Sequence, residues 1–296
     1  MQSQTEQSIP PSERNGCLGR LLPALIGLDN ARRDATGTRP WFEITRHQFH
    51  FARQSQAFHG YRLVHMTDIH VDRLFMSAER LAGVVQAINR LHADAVVITG
   101  DFVQDFQPAH AQTLAVLSEL QAKDGVFGVL GNHDHVAGAD WVREHLEAAH
   151  VQVLSDATHT ITREGEMLHL VGLDDLLQTQ REAPPSIWSY QPRVERVIGS
   201  LPEEGTAILL VHEPDIADVA AATQRIDLQL SGHSHGGQLF IPFYGPLSSI
   251  LPPLAHHYPR GLYQVEKMAL YTNRGIGSPL RINNPAEIAV IDLYHI

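Results

Sequence analysis

Short apolar runs alternate with longer amphipathic segments in the first half of this 296-residue chain. The runs are rich in Val, Ile and Leu, which is typical of buried strands, and the segments between them repeat apolar residues at helical spacing. Strand–helix–strand units of this kind imply a parallel sheet whose polar loops lie at the carboxyl ends of its strands. The pattern predicts strands at 61–67, 95–99 and 126–130, a helix that begins after the N-cap Ser77, and helices at 108–122 and 139–149.

Strands dominate the second half of the chain, which therefore looks more antiparallel than the first. Two sheets that face each other would bury this many apolar strands. Residues 242–259 are rich in Pro and Gly and are predicted to form a long loop that covers the site. The predicted strands are 41–51 before the first unit and then 151–154, 159–163, 167–171, 207–211, 226–230, 238–241, 261–266, 268–273 and 287–293, with one helix near 193–198.

Residues 1–40 differ in composition from the rest of the chain, and we treat them as an N-terminal tail before one domain at 41–296. The apolar segment within the tail is too short to span a bilayer, which takes about 20 apolar residues, and it lacks the flanks of a secretory signal. The segment either packs on the folded domain or, through residues 18–33, lies at a membrane interface. We predict a cytoplasmic protein, with peripheral contact at the inner membrane as the alternative.

The net charge and the cysteine content of the chain limit which ligands and metals it can be expected to bind. With 22 Lys+Arg against 33 Asp+Glu, the formal net charge is −11, so binding of long nucleic acid is not expected. A small anionic substrate remains compatible with this charge where bound metal ions supply a local positive field. The single cysteine, Cys17, excludes an internal disulfide and a thiolate zinc site. Any metal must therefore have oxygen and nitrogen ligands, which suits Mn, Fe, Mg or Zn.

Side chains that can bind metal follow five of the predicted strands. A carboxylate at the end of a buried strand costs free energy unless a cation meets it, so we interpret Asp101 as the bridge between two metal ions. The glycines around the last cluster allow the backbone angles that turn two nearby imidazoles inward. The candidate ligands are Asp68, His70, Asp101, Asn132, His212, His233 and His235.

Each of these residues has an ordinary interpretation when it is taken singly. A lone histidine such as His70 or His212 is more often packed or solvated, and Asn132 in a Gly-Asn pair is often a turn residue. Five clusters that each follow a predicted strand make a shared metal centre the better interpretation.

The order and spacing of the clusters resemble the calcineurin-like metallophosphoesterase superfamily. Its motifs D-X-H, G-D, G-N-H-[DE], a separate His and G-H-X-H correspond here to Asp68-Ile69-His70, Gly100-Asp101, Gly131-Asn132-His133-Asp134, His212 and Gly232-His233-Ser234-His235. A closer resemblance, over roughly 41–296, is to the bacterial YkuE/YaeI-like branch, through Asp174-Asp175 and Asn273-Arg274-Gly275-Ile276-Gly277. The resemblance implies an α/β (α+β) fold, a four-layer αββα sandwich of two mixed β-sheets flanked by helices.

The resemblance also implies a role for each matching residue. One divalent ion would be held by Asp68, His70, Asp101 and His235, and a second by Asp101, Asn132, His212 and His233. Manganese is the first choice of metal, with Fe, Zn and Mg as alternatives. His133 would reach the scissile phosphate or the leaving oxygen, and Asp134 would orient the ring of His133. Asp174, Asp175 and Arg274 are candidate substrate contacts, against an acidic turn and a surface ion pair as the ordinary interpretations.

The implied reaction is hydrolysis of a phosphodiester or pyrophosphate by a hydroxide that bridges the two metals. Protein phosphatases of the superfamily carry an Arg soon after the G-D motif and G-N-H-E; here no Arg follows Asp101 in 102–105, and Asp134 replaces Glu. The expected substrate is therefore a small-molecule, nucleotide or lipid-linked phosphodiester. The alternatives are a catalytically weak metal-binding protein that acts as a binding or scaffold module, and a nuclease, which the acidic charge disfavours.

Overall fold

The computed structural model describes residues 41–177, 186–237, 240–241, 245–246, 252–278, 281 and 284–296. The strands are β1 (Phe42–Phe51), β2 (Tyr61–Met66), β3 (Ala95–Thr99), β4 (Gly125–Val129), β5 (Val151–Val153), β6 (Ala157–Arg163), β7 (Glu166–Gly172), β8 (Thr206–Leu210), β9 (Leu228–Ser231), β10 (Phe240–Ile241), β11 (Gly245–Pro246), β12 (Gly261–Val265), β13 (Met268–Thr272) and β14 (Ala286–His295). The α-helices are α1 (Ala78–Asn89), α2 (His110–Leu114), α3 (Asn132–Ala148), α4 (Gln191–Ile198) and α5 (Ala217–Ala222), and short 3-10 helices span Gln56–Phe58, Ala115–Glu119, Ile187–Tyr190, Pro214–Ile216 and His235–Gly237.

The strands form two six-stranded mixed sheets. The first has the order β1-β14-β2-β3-β4-β5, in which β2 to β5 run parallel and β14 lies antiparallel to β2. The second has the order β12-β13-β9-β8-β7-β6, with a parallel centre and antiparallel strands at both edges. The expectation of a more antiparallel second half is thus wrong for the sheet centre. The short helices α4 and α5 supply the crossovers that parallel neighbours require.

Three apolar clusters hold the layers together. Between the sheets, side chains such as Leu63 and Val97 from the first sheet share a cluster with Leu210 and Leu230 from the second. Helices α1 to α3 cover the outer face of the first sheet, and α4 and α5 cover that of the second. Every residue of β3 is buried, as expected for a strand covered on both faces. The predicted four-layer αββα sandwich is therefore confirmed.

Local signals placed some helix boundaries well and others poorly. Ser77 caps α1 as predicted, since its Oγ accepts a hydrogen bond from the N–H of Arg80. The helix predicted at 108–122 is shorter and continues as a 3-10 turn, which keeps Leu117 three residues after Leu114 on the buried side. The helix predicted at 139–149 begins earlier, at residue 132, and is interrupted at Gly138 (φ 114°).

Three predictions fall wholly or partly on residues that are not described, and one of them, the strand predicted at 238–241, is described only at 240–241. The tail at 1–40 lies outside the described residues altogether, and the loop predicted at 242–259 is described only at 245–246 and from 252 onward. Among the described residues, no helix combines the length and apolar character needed to cross a bilayer.

Candidate metal centre

The predicted ligands lie at the carboxyl ends of strands from both sheets. Asp68 and Asp101 follow β2 and β3 of the first sheet, and His212 and His233 follow β8 and β9 of the second. Backbone hydrogen bonds join neighbouring loops: Asp68 N donates to Gly100 O at 3.0 Å, and Gly232 N donates to His212 O at 3.0 Å. The two sheets therefore present their polar loops at one shared edge.

Five of the predicted ligands have left-handed backbone conformations, which residues with a Cβ rarely adopt. Such conformations cost free energy and are held by the surrounding structure, often at functional sites. The flanking glycines were expected to bend the last loop, yet the two histidines of that loop are themselves in this region. The five are Asp68 (φ 51°), His70 (φ 46°), Asp101 (φ 55°), His233 (φ 69°) and His235 (φ 48°).

One group of ligand atoms joins the loops after β2 and β3 of the first sheet to the loop after β9 of the second. Asp68, His70, Asp101 and His235 each place one ligand atom within 4.8 Å of all the others. The Nε2 atoms of His70 and His235 are 3.0 Å apart, and that of His70 is 3.4 Å from Oδ2 of Asp101. Two ring nitrogens and two carboxylates this close together form a donor set for a divalent cation.

A second group shares Asp101 with the first. Asp101, His212 and His233 also place ligand atoms within 4.8 Å of one another, and Nε2 of His212 is 3.2 Å from Oδ2 of Asp101. Asn132 follows Gly131, which is so close to Asp101 that a Cβ there would lie 2.3 Å from Oδ1. One carboxylate thus belongs to both groups.

Two of the imidazoles are oriented by backbone carbonyls. Nδ1 of His212 is 2.7 Å from Thr99 O, and Nε2 of His233 is 2.9 Å from Pro253 O. Because a carbonyl oxygen only accepts, these nitrogens carry a hydrogen, and the other nitrogen of each ring is the one that a metal would bind. Sequence reasoning missed both contacts, since a carbonyl acceptor carries no side-chain signal.

Without a metal, the surroundings of the site keep Asp101 deprotonated and the rings of His233 and His235 neutral. Burial would raise the pKa of Asp101, but the adjacent His212 holds it well below its usual value. Burial would lower the pKa of His212, but Asp101 raises it well above its usual value. Burial lowers the pKa of His233 to about 4 and that of His235 to about 3, so both rings are neutral. A cation bound beside Asp101 would replace the proton on Nε2 of His212.

Unpaired polar atoms test whether these residues fit a pair of metal ions. Oδ1 of Asn132 and Nε2 of His212 are buried and have no hydrogen-bond partner among the described residues. A buried polar atom without a partner is costly, so both call for a ligand from outside the chain. Carboxylate, amide and imidazole donors without a thiolate suit Mn, Fe, Zn or Mg. The residues fit two divalent cations.

His133 lies beside the first group, but Asp134 does not orient it. The rings of His133 and His70 are 4.8 Å apart, and Nδ1 of His133 is 2.8 Å from Gln104 O. The carboxylate of Asp134 accepts instead from the backbone N–H groups of Phe102, Val103 and Gly131 at 2.8, 3.1 and 2.9 Å. The expected role of Asp134 is therefore wrong, because this buried carboxylate ties the two motif loops together.

The three candidate substrate contacts all have partners within the protein. Oδ1 of Asp174 is 2.8 Å from Nε2 of His135, a residue that sequence reasoning passed over although it follows the G-N-H-D motif directly. Asp175 is fully buried. Arg274 donates to Glu287 at 3.0 Å and to Glu43 at 3.1 Å, so the ion pair that was the ordinary interpretation is present. Contact of these residues with a substrate stays a prediction.

The chain is similar in sequence to known phosphoesterases. A family model described as calcineurin-like phosphoesterase matches residues 61–237, which include all seven predicted ligands. The chain is 33% identical over 258 residues to the uncharacterized metallophosphoesterase YkuE of Bacillus subtilis, with 85% of each chain covered. It is 29% identical over 259 residues to the phosphodiesterase YaeI of Escherichia coli, covering 86% of this chain and 88% of that one. The NAD nucleotidase NadN of Haemophilus influenzae superposes with a TM-score of 0.47 and 16% identity, over 73% of this chain and 50% of that one.

Proposed function

Because this chain belongs to the calcineurin-like phosphoesterase family and is thus a metal-dependent phosphoester hydrolase, we propose that it binds two divalent cations and hydrolyses phosphodiester or pyrophosphate bonds. The observation that carries the proposal is the carboxylate of Asp101, which belongs to both groups of ligand atoms. Oδ2 of Asp101 lies 3.4 Å from Nε2 of His70 and 3.2 Å from Nε2 of His212, and a carboxylate shared in this way would suit cations about 3.5–4 Å apart, as two-metal hydrolases require. The name of the relative YaeI favours a diester as substrate. Manganese is our first choice of metal, with iron, zinc or magnesium as alternatives.

Two cations held by these residues would supply Lewis acidity and lower the pKa of a shared water toward neutrality. The chain contributes orientation and proton transfer. Gln104 O accepts from Nδ1 of His133 and fixes the ring, so that Nε2 is the nitrogen that delivers a proton to the leaving oxygen. The backbone N of His133 donates a hydrogen bond to Oδ1 of Asp101 (2.9 Å), which holds this histidine next to the proposed bridging carboxylate.

The test uses metal-stripped protein and bis-p-nitrophenyl phosphate. We expect Mn²⁺ to restore hydrolysis, and Asp101→Ala to abolish both turnover and bound metal. Asp105→Asn is the matched control, since this carboxylate lies in the same loop with a side chain that is 55% exposed. Bound metal without turnover on a panel of diesters, pyrophosphates and monoesters would favour the scaffold alternative.

Exposed apolar side chains favour an amphipathic, lipid-linked diester as the specific substrate. Three of them lie on the segments that follow β2, β3 and β4, and the fourth lies in the 3-10 helix Ile187–Tyr190 between β7 and β8. If these side chains share one continuous surface with the site, that surface would suit an amphiphile. They are Leu74 (98% exposed), Phe106 (53%), Val136 (69%) and Trp188 (48%).

A series of diesters with acyl chains of increasing length tests whether the substrate is lipid-linked. We expect kcat/KM to rise with acyl length, and Phe106→Ser together with Trp188→Ser to remove that dependence while activity on bis-p-nitrophenyl phosphate is kept. Leu262→Ser is the control, because Leu262 is 57% exposed but lies on β12 and on none of these segments. Equal kcat/KM for short and long chains would argue for a water-soluble substrate.

Membrane contact through residues 18–33 and a cytoplasmic location stay predictions. Flotation with liposomes, compared between the full chain and a chain that lacks residues 1–40, tests the contact. Loss of flotation on truncation would support the interfacial interpretation, and equal behaviour would favour packing on the domain.

A further inference from the structure

The loop that follows β13 lies against the candidate ligands of the first group. Gly277 N donates to Asp68 O at 2.7 Å, and a Cβ at Gly275 would lie 2.7 Å from Cβ of Asp68. Further along, the side-chain amide of Asn284 donates to His235 O. The loop is therefore fastened at two points to ligands of the same proposed metal ion.

Arg281 lies in this loop between the two points and is only 3% exposed. Its Nη1 donates to Arg274 O at 2.8 Å and its Nε donates to Ser278 O at 3.1 Å. Its Nη2 is buried, and no acceptor among the described residues meets it. Both carbonyls are neutral, so they fix the guanidinium plane without neutralising its charge. Burying a cation that has an unpaired donor costs free energy unless an anionic group binds to it.

The guanidinium is close enough to the ligand cluster for each to influence the other. Burial lowers the pKa of Arg281 to about 10, and Asp68 is the charge that most opposes this shift. Burial also lowers the pKa of His235, with a further contribution from Arg281. Arg281 therefore stays protonated at neutral pH beside two ligands of the first group.

We propose that Arg281 binds the substrate, with its free Nη2 donating a hydrogen bond to a non-bridging oxygen of the phosphoester at the metal centre. This proposal rests on the proposed function. A phosphoryl oxygen is an anionic acceptor, and the planar guanidinium suits it better than an ammonium does. Sequence reasoning pointed to Arg274 for this task, but two carboxylates already occupy Arg274.

Direct binding of inorganic phosphate to the Mn²⁺-loaded protein tests the proposal without turnover. Titration calorimetry should show that Arg281→Gln weakens phosphate binding about 10- to 100-fold, the loss expected for one charge-assisted hydrogen bond. Arg281→Lys should fall between, because it keeps the charge but not the planar donor pair. Metal content should match wild type, whereas the melting temperature of Arg281→Gln should fall, because Arg274 O and Ser278 O lose a buried donor. Arg53→Gln, which removes a surface pair with Asp227, is the control.

Unchanged phosphate affinity in Arg281→Gln at full metal content would overturn the proposal. Parallel loss of metal and phosphate would also overturn it, in favour of a residue that only clamps the loop. A wild type that binds phosphate but turns over no ester would reject the proposed function and leave the Arg281 result standing.

Wild-type crystals soaked with phosphate provide a test that needs no variant. A phosphate oxygen within about 3.2 Å of Nη2 is expected. Phosphate bound at the metals without contact to Arg281 contradicts the proposal.

Discussion

The carbonyl oxygen of Thr99 lies 2.7 Å from Nδ1 of His212, and it fixes which nitrogen of that ring faces Asp101. His233 is oriented in the same way by Pro253 O. Nδ1 of His70 and of His235, by contrast, is buried without a hydrogen-bond partner among the described residues. The two proposed metal positions therefore differ in how well their imidazoles are pre-oriented.

The difference predicts unequal metal affinities. A hydrogen bond to the second nitrogen of a ligating imidazole is typically worth about 10- to 100-fold in affinity. We expect calorimetry with Mn²⁺ to resolve two classes of site, the tighter one lost in His212→Ala and the weaker one lost in His70→Ala. Electron paramagnetic resonance at one equivalent of Mn²⁺ should show an isolated ion. Loss of the tight class in His70→Ala would contradict this assignment.

A methyl group at Gly131 should damage the centre for steric reasons alone. The backbone φ of Gly131 is −111°, which any residue adopts, but a Cβ would lie 2.3 Å from Oδ1 of Asp101 and 2.6 Å from its backbone N. Gly131→Ala is expected to lose metal and about 1–3 kcal/mol of stability. Gly83→Ala is the matched control: nothing lies within 4 Å of its Cβ position in α1, and the change should stabilise by about 0.5–1 kcal/mol. Metal analysis and urea unfolding measure both; normal metal content in Gly131→Ala would refute the steric argument.

The effect of His133→Ala should depend on the leaving group. A proton donor contributes about 10²- to 10⁴-fold when the leaving oxygen needs a proton, and far less when the leaving group is a stable anion such as p-nitrophenolate. We expect kcat for an alkyl diester to fall by that factor, with a much smaller loss on bis-p-nitrophenyl phosphate and unchanged metal content. An equal loss on both esters would exclude His133 as the donor.

His65 should make the metal-free protein less stable in acid. Burial lowers the pKa of this histidine from 6.5 to about 4, and its Nε2 pairs with Thr99 Oγ1 at 2.8 Å. The unfolded chain therefore binds a proton at His65 more readily than the folded one. The contribution is complete above about pH 6.5 and is lost as pH falls toward 4, by at most about 3 kcal/mol.

Urea unfolding between about pH 7 and pH 4 measures this contribution. The stability of His65→Gln should fall less steeply with acid than that of wild type. His50→Gln, at an exposed position of β1, should follow the wild-type curve. Parallel curves for wild type and His65→Gln would show that His65 does not titrate in this range.

The strand-end positions of Asp68 and Asp101 were predictable, because continuous apolar runs mark buried parallel strands and polar loops follow their carboxyl ends. The place of β14 was not. It is last in the sequence yet lies between β1 and β2, and no local pattern encodes a pairing across more than two hundred residues. The parallel centre of the second sheet was missed because one of its crossover helices, α5, has only 6 residues.

Within the site, the ligand side chains could be predicted from the sequence, but the backbone groups that form hydrogen bonds with them could not. The motifs gave the ligand types, but the acceptors that orient His212 and His233 are carbonyl groups, which every residue has. Asp134 was assigned to a ring because carboxylates often pair with imidazoles. Its surroundings instead offer three N–H donors from two loops, a geometry that only the folded chain reveals.

Asp101 belongs to the first sheet, and His212 and His233 belong to the second. A cation coordinated by all three would cross-link the two sheets at this edge of the sandwich. Its removal should loosen the halves from each other first at this edge, and hydrogen exchange should then quicken at the ends of β3, β8 and β9 before the far edge responds.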